Sequence, residues 1–184
     1  MKRLFLSILL LTIANICFSQ NNETIANSSN ALRINLINPG IEFEGKVTRK
    51  TTLSVNLGVG YGGSYKNLSS DASGWLYMYA PFMDIHYKYI YNQDRRLENG
   101  QNTKFNSGNF FGFRFLARGK EFDSNFARTT NIDYAFGPTF GLQRSYNRIH
   151  ILFDLGLNYY FDGKGNNGIT PMLELNIGYN LLSR

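Results

Sequence analysis

The sequence predicts an all-β protein, an eight-stranded antiparallel transmembrane β-barrel of the up-and-down kind. Three observations predict it. Large apolar residues alternate with small or polar ones in run after run, the period of two that marks a strand with two unlike faces. Beyond the first twenty positions no run of about 18 apolar residues occurs, so no helix is available to cross a bilayer. The chain nevertheless opens like a secreted protein, and a secreted chain of this kind crosses lipid only with strands closed on themselves.

That opening is MKRLFLSILLLTIANICFSQ. Lys2 and Arg3 supply a positive start, residues 4–16 an apolar run too short to span, and Cys17 and Ser19 stand at −3 and −1 of a cut before Gln20. A lipoprotein reading of Cys17 asks for a small residue ahead of it, and Ile16 is not one. Cleavage there removes the one cysteine, leaving no disulfide. It also removes Lys2, Arg3 and no acid, so the formal charge falls from +6 to +4. With no lysine run or basic helix, nucleic acid is not an expected partner. Residues 1–19 are expected to be a signal peptide, 20–30 a flexible polar leader and 31–184 the barrel, a length that suits one domain.

The barrel begins with ALRINLINPGIEFEG, where Asn38-Pro39-Gly40 separates an apolar set of one parity (Leu32, Ile34, Leu36) from one of the other (Ile41, Phe43). Proline and glycine here mark a tight turn between two strands, about 30–37 and 41–47, or a bulge in one bent strand. The turn is preferred, because the rest of the chain supplies six strands and single-chain bacterial barrels use an even number. The third strand is TTLSVNLGVGY (51–61), followed by a polar loop, 62–74. The fourth runs from Trp75 to Tyr91, with Tyr77, Tyr79, Met83, Ile85, Tyr87 and Tyr89 on its greasy face. A long polar connection, 92–108, leads to the fifth, with Phe111, Phe113 and Phe115 against Gly112 and Arg114. Loop 118–130 precedes the sixth, Ile132 to Gln143.

IHILFDLGLNYYF, Ile149 to Phe161, is the clearest of all: every odd position is large and apolar. At about 3.3 Å per residue and about 45° of tilt it would cross a hydrocarbon layer about 30 Å thick. A glycine-rich loop, 162–168, leads to the eighth strand, Ile169 to Leu181. With the chain ends in the periplasm, loops 62–74, 118–130 and 162–168 are expected outside the cell.

Alternation alone does not say which face meets lipid, because a soluble secreted lipocalin-like barrel has the same period with the sense reversed. Volume decides. Eight strands enclose a space just wide enough for ordinary side chains, and the greasy face carries too many aromatic ones to fit. The opposite face holds Gly58, Gly60, Gly112, Gly137, Gly141, Gly156 and Gly178 together with charges of both signs. A lumen charge network is therefore expected from Arg33, Glu42, Glu44, Asp84, His86, Lys88, Arg114, Asp133, Asp154 and Glu174, because a buried ion without a partner is costly. Tyrosines and Trp75 gather near strand ends, where interfacial belts sit.

ALRINLINPGIEFE, TTLSVNLGVGY and the YKYIYNQDRR…NSGNFFGFRF stretch resemble small outer-membrane β-barrel proteins of Gram-negative bacteria, most of them without an assigned activity. The resemblance covers nearly all of the chain after the leader. It implies an eight-stranded outer-membrane barrel set into lipid by the barrel-assembly machinery, and it brings no catalytic residues with it. One departure is the ending Leu181-Leu182-Ser183-Arg184, where such chains often close on an aromatic residue.

Other constellations carry less. Gly58-Val-Gly60-Tyr-Gly-Gly63 matches GxGxxG, but a serine-rich loop follows where a dinucleotide site needs a helix. Asp84, His86 and Lys88 share one strand face, and His150 and Asp154 another, a set that could ligate a metal or pair as base and orienter. The two strands are not neighbours, so lumen salt bridging is the plainer expectation. A lipid-modifying enzyme of the lipid A deacylase type would place its histidine toward the bilayer, and both histidines here have lumen parity. Leu76, Met78 and Phe82 sit on the otherwise polar face of their strand, a possible hydrophobic pocket near the outer mouth. The expected function is thus non-enzymatic and without a cofactor or metal: a closed-lumen outer-membrane barrel, structural or interacting through its outer loops. A narrow pore or conduit for a hydrophobic small molecule and a lipid-modifying enzyme are the rivals.

Overall fold

The computed structural model describes residues 28–61, 78–124 and 130–183. The expectations for the signal peptide, most of the leader, the loop at 62–74, Trp75, Leu76 and Tyr77 lie outside the described residues. Within them the fold is all-β. The strands are β1 (Ala31–Asn35), β2 (Gly40–Lys46), β3 (Thr51–Tyr61), β4 (Met78–Ile90), β5 (Gly108–Arg118), the two-residue β6 (Asp123–Ser124), β7 (Asp133–Tyr146), β8 (Ile149–Asp162) and β9 (Asn167–Ser183). One helix, α1 (Gln93–Glu98), and a 3-10 turn over Lys104–Asn106 lie between β4 and β5. No helix among the described residues is long and apolar enough to cross a membrane.

All pairings are antiparallel. The sheet runs β3-β2-β1-β9-β8-β7-β5-β4, and β3 also pairs β4, so eight strands form a closed ring with β6 adding a short extension to β4. The turn at Asn38-Pro39-Gly40 does separate two strands, β1 and β2. Over the height that all eight strands share, closure removes the bare edges that an open sheet presents. We call the end that carries Ala31 and Ser183 the base, and the opposite end the mouth.

Register fixes the stagger. From Leu57 the pairs lead through Met83, Ala117, Tyr134 and Phe161 to Asn167. In the other sense they lead through Ile41 and Ile34 to Tyr179. The two end points are twelve residues apart on β9, so the strands tilt strongly and the ring is wider than its strand number alone would make it.

The base is level, but the mouth is not. β1 and β2 have 5 and 7 residues, whereas their ring neighbours β9 and β3 have 17 and 11. The hairpin turn at 36–39 therefore stops well short of the rim formed by the other strands. Gly58 permits that stop: a Cβ there would collide with the Pro39 carbonyl, which lies against the β3 backbone.

The long polar connection 92–108 is not a bare loop. Its 3-10 turn places Asn106, 1 % exposed, under the base, where it exchanges hydrogen bonds with Ser29: the Ser29 N–H donates to Asn106 Oδ1 at 2.7 Å and Asn106 Nδ2 donates to the Ser29 carbonyl at 2.9 Å. Ser28 donates from N and Oγ to the Arg49 carbonyl, both at 3.0 Å, so the last residues of the expected leader are tied down. On the surface nearby, Asp94 accepts from Lys50 Nζ at 2.8 Å and Arg49 Nη2 at 2.6 Å.

The Lys50 hydrogen bond, joined by that of Arg49, holds the Asp94 carboxyl below its ordinary value. A depressed carboxylate stabilises the folded form above its unfolded pKa of about 4 and loses that contribution as pH falls through the folded value. Protection of the amides in 47–50 and 93–98, their exchange measured against the intrinsic rate at each pH, should therefore fall below about pH 4. Asp94→Asn should show the lower protection already at neutral pH, with no further acid dependence from this contact.

Candidate functional site

The interior of the ring is polar. All ten residues expected in the charge network point into it and are buried, from 0 % exposed at Arg33, Glu44 and Asp154 to 8 % at Glu174. They occupy three levels, and neighbouring strands deliver them two residues apart because of the pleat.

Nearest the base, β1 brings Arg33, β2 brings Glu42 and Glu44, and β4 brings Lys88. Arg33 Nη2 meets Glu44 Oε2 at 2.5 Å, and its Nη1 lies 3.2 Å from Glu42 Oε1 and 3.0 Å from His150 Nε2. Lys88 Nζ stands 3.2 Å from Glu44 Oε1 and donates to Gln143 Oε1 at 3.0 Å. Thr52 Oγ1 donates to Glu44 Oε1 at 2.6 Å, Asn35 Nδ2 to Glu42 Oε2 at 2.9 Å, and Gln143 Nε2 to the Asn106 carbonyl at 2.7 Å. Two cations face two carboxylates, each with further hydrogen bonds, which is the condition under which buried ions are tolerated. Ile90, Phe110 and Leu152 form a small apolar cluster beside them, with Lys88 Nζ 5.7 Å from the Phe110 ring centre.

At mid-height Arg114 spans the interior. Its Nε and Nη2 fork onto Asp84 at 2.9 and 2.5 Å, and its Nη1 reaches Glu174 at 2.6 Å. That bidentate geometry is specific to a guanidinium. His86 Nε2 lies 2.9 Å from Thr139 Oγ1 and 3.7 Å from Asp154 Oδ2. Thus a histidine and a carboxylate from non-adjacent strands do meet across the ring. Both are enclosed, at 4 % and 0 % exposed. Glycine makes this level possible: a Cβ on Gly112 would sit on His86 Nε2, and one on Gly141 would lie 2.6 Å from Phe110 and 2.9 Å from Asp154 Oδ1. Nearer the mouth, Arg118 Nε and Asp133 Oδ1 are 3.3 Å apart.

Above Arg114 the interior opens into a cavity of about 390 Å³. Phe82, Leu116, Ala135, Tyr160 and Met172 supply its apolar wall, Arg114 and Glu174 its floor, and Asn158 and Thr170 polar points on its side. Of the expected hydrophobic pocket, Phe82 lines this cavity. Met78 is fully buried beside β6 and is not part of the lining, and Leu76 lies outside the described residues.

Neutral partners escaped sequence reasoning. Thr52, Thr139 and Gln143 have lumen parity and could have been found by it, but nothing in the string 92–108 marks Asn106 as the residue that meets Gln143. No group of three or more metal-ligating side chains occurs among the described residues. No family model, curated protein or solved structure matches the chain.

Proposed function

We propose that this chain is an outer-membrane β-barrel with a closed polar lumen, non-enzymatic, serving a structural or surface-interaction role in the lipid of a Gram-negative outer membrane. One observation carries the reading: the ring is inside-out for water. Buried polar and charged residues far outnumber buried apolar ones, whereas Leu57, Phe111, Leu157, Leu173 and Ile169 stand 55–74 % exposed on the outside. A monomer in water rarely shows apolar surface that is continuous around its girth. A chain in lipid requires it.

The outward aromatics support the same placement, because they form contacting groups toward both ends of the strands, with Phe113 and Phe136 at 6.1 Å between them. Tyr91, Phe111 and Phe140 contact one another toward the base, with ring centres 5.2–6.4 Å apart. Tyr134, Phe136, Tyr159 and Phe161 do so toward the mouth, at 5.1–6.2 Å. Aromatic groups toward both ends fit the two faces of a bilayer. Export by a cleaved signal peptide and insertion by the barrel-assembly machinery belong to the same proposal.

The ion layers at the base and at mid-height argue for a barrel that does not conduct. The purified protein should enter planar bilayers without producing current, and unheated protein from outer-membrane fractions should migrate apart from boiled protein on a gel. Stable open steps of current would replace the closed lumen with a pore. Recovery from the soluble periplasm without detergent would overturn the membrane reading itself. The cavity above Arg114 favours a second reading, a binding site for a hydrophobic small molecule, in place of a through-conduit.

A further inference from the structure

The cavity also reaches the wall of the ring. Among the described residues, β9 pairs on one edge only between Asn167 and Asn176, with β8; β1 joins it from Gly178, after a last hydrogen bond from Leu36 N–H to the Ile177 carbonyl at 2.8 Å. Across the gap, β3 loses its β2 partner beyond Gly58, save for the Val59 N–H donating to the Pro39 carbonyl at 2.8 Å. The short β1–β2 hairpin thus leaves a notch in the wall, with its sill at 36–39. The cavity lining runs straight through it: Ile37 and Asn38 on the sill, Gly60 on one jamb, and Thr170 to Leu175 on the other. Leu173 and Leu175 belong to the outward parity of β9, so their presence in the lining means that the cavity reaches the outer surface sideways.

What lies outside the notch is apolar. Leu57 and Val59 flank it on β3, and Ile169, Leu173 and Leu175 on β9, all exposed. The jamb itself is polar backbone. Asn180 N–H donates to the Arg148 carbonyl, just ahead of β8, so by alternation the N–H groups of Ile169, Leu173 and Leu175 point into the notch; Pro171, between them, has none to offer. Bare hydrocarbon does not cover an unpaired edge. Inside, the buried Oδ1 of Asn158, a residue 6 % exposed, has no hydrogen-bond partner among the described residues. An occupant must therefore bring polar atoms to the edge and an apolar body to Phe82, Leu116 and Met172.

On the reading of the chain as an outer-membrane barrel, we infer that the notch is a lateral portal. It admits one hydrocarbon chain of a bilayer lipid from the surrounding outer leaflet, the ester end against the β9 edge and the tail in the cavity. The volume, near the lower end of the 300–1,000 Å³ of ligand sites, fits a single chain and not a whole lipid. Because Arg114, Asp84 and Glu174 close the floor, the chain goes no further.

The test uses tryptophan fluorescence in vesicles of phosphatidylcholine with or without bromine on the acyl chains, which quenches only on contact. Trp75, the one tryptophan of the sequence, is first replaced by phenylalanine. Three reporters follow on that background: Phe82→Trp and Leu116→Trp in the cavity, and Leu155→Trp on the outward face. Each is checked for folding by its unheated gel mobility. The portal predicts that the cavity reporters lose as much intensity to brominated lipid as Leu155→Trp does. Gly60→Met, which fills the cavity at the jamb against Phe82, should abolish that loss in the Leu116 reporter alone. If Leu155→Trp is quenched and both cavity reporters are not, the portal is wrong and the barrel stands. If Leu155→Trp is not quenched either, the membrane reading fails with it.

Discussion

Arg33→Met should lower the stability of the folded ring by about 3–5 kcal/mol, the cost of stranding a buried ion partner. Arg33 is fully buried and lies closer to Glu42 and Glu44, at 3.2 and 2.5 Å, than Lys88 does at 3.9 and 3.2 Å; it also lies 3.0 Å from His150, which belongs to a strand distant in sequence. Removing it leaves two carboxylates with Lys88 alone, and water cannot replace the guanidinium without entering the base. The midpoint of urea unfolding in detergent, read by the gel mobility of unheated samples, measures the loss. Adding Glu44→Gln to Arg33→Met should recover part of it, because the charge count is balanced again. Arg33→Lys should recover only part of the loss, since a single ammonium nitrogen cannot span Glu42, Glu44 and His150 as the two forked guanidinium nitrogens do. Equal midpoints for Arg33→Met and the parent chain would show that the base layer contributes nothing to stability.

Gly137→Val should prevent folding into the ring. The inward Cβ at 137 would overlap the Leu157 carbonyl of β8, which is backbone and cannot swing aside. The β7–β8 ladder already skips this point: Phe136 pairs Tyr159 and Thr139 pairs Gly156, and the residues between approach closely without a regular pair. Overpacking a tight site costs about 1–3 kcal/mol where side chains can yield, and here a strand must move. The expected result is loss of the fast-migrating unheated band. Gly163→Ala serves as the control, because a Cβ there meets nothing within 4 Å.

Much of this was legible in the sequence, and for one reason: a period of two assigns each strand residue to a face, and a charged face opposite a greasy one assigns the inside. Arg33, Glu44, Lys88 and Arg114 could be placed inward on parity alone. Their partners could not. Whether His86 meets Asp154 or Arg33 meets His150 depends on the stagger accumulated around the whole ring, and no local pattern records it. Strand lengths were legible at β8 and not at β5, whose observed span, Gly108–Arg118, begins before the phenylalanine alternation makes it visible. The notch was half legible. Asn38-Pro39-Gly40 marked the hairpin, but that β9 runs ten residues past it toward the mouth appears only when the two are set side by side.

The joint between β1 and β9 brings together Ala31 and Ser183; it has five pairs, as few as any ladder that closes the ring, and a slip between Leu32 and Arg33. A cylinder sewn from a continuous thread has one place where the two ends of the cloth meet, and here that hem is brief and uneven. Arg33 is stitched into it from within, holding β2 and β8 on either side. The ions at the base are thus a clasp as well as a stopper: while they hold, the seam has no slack from which to unravel.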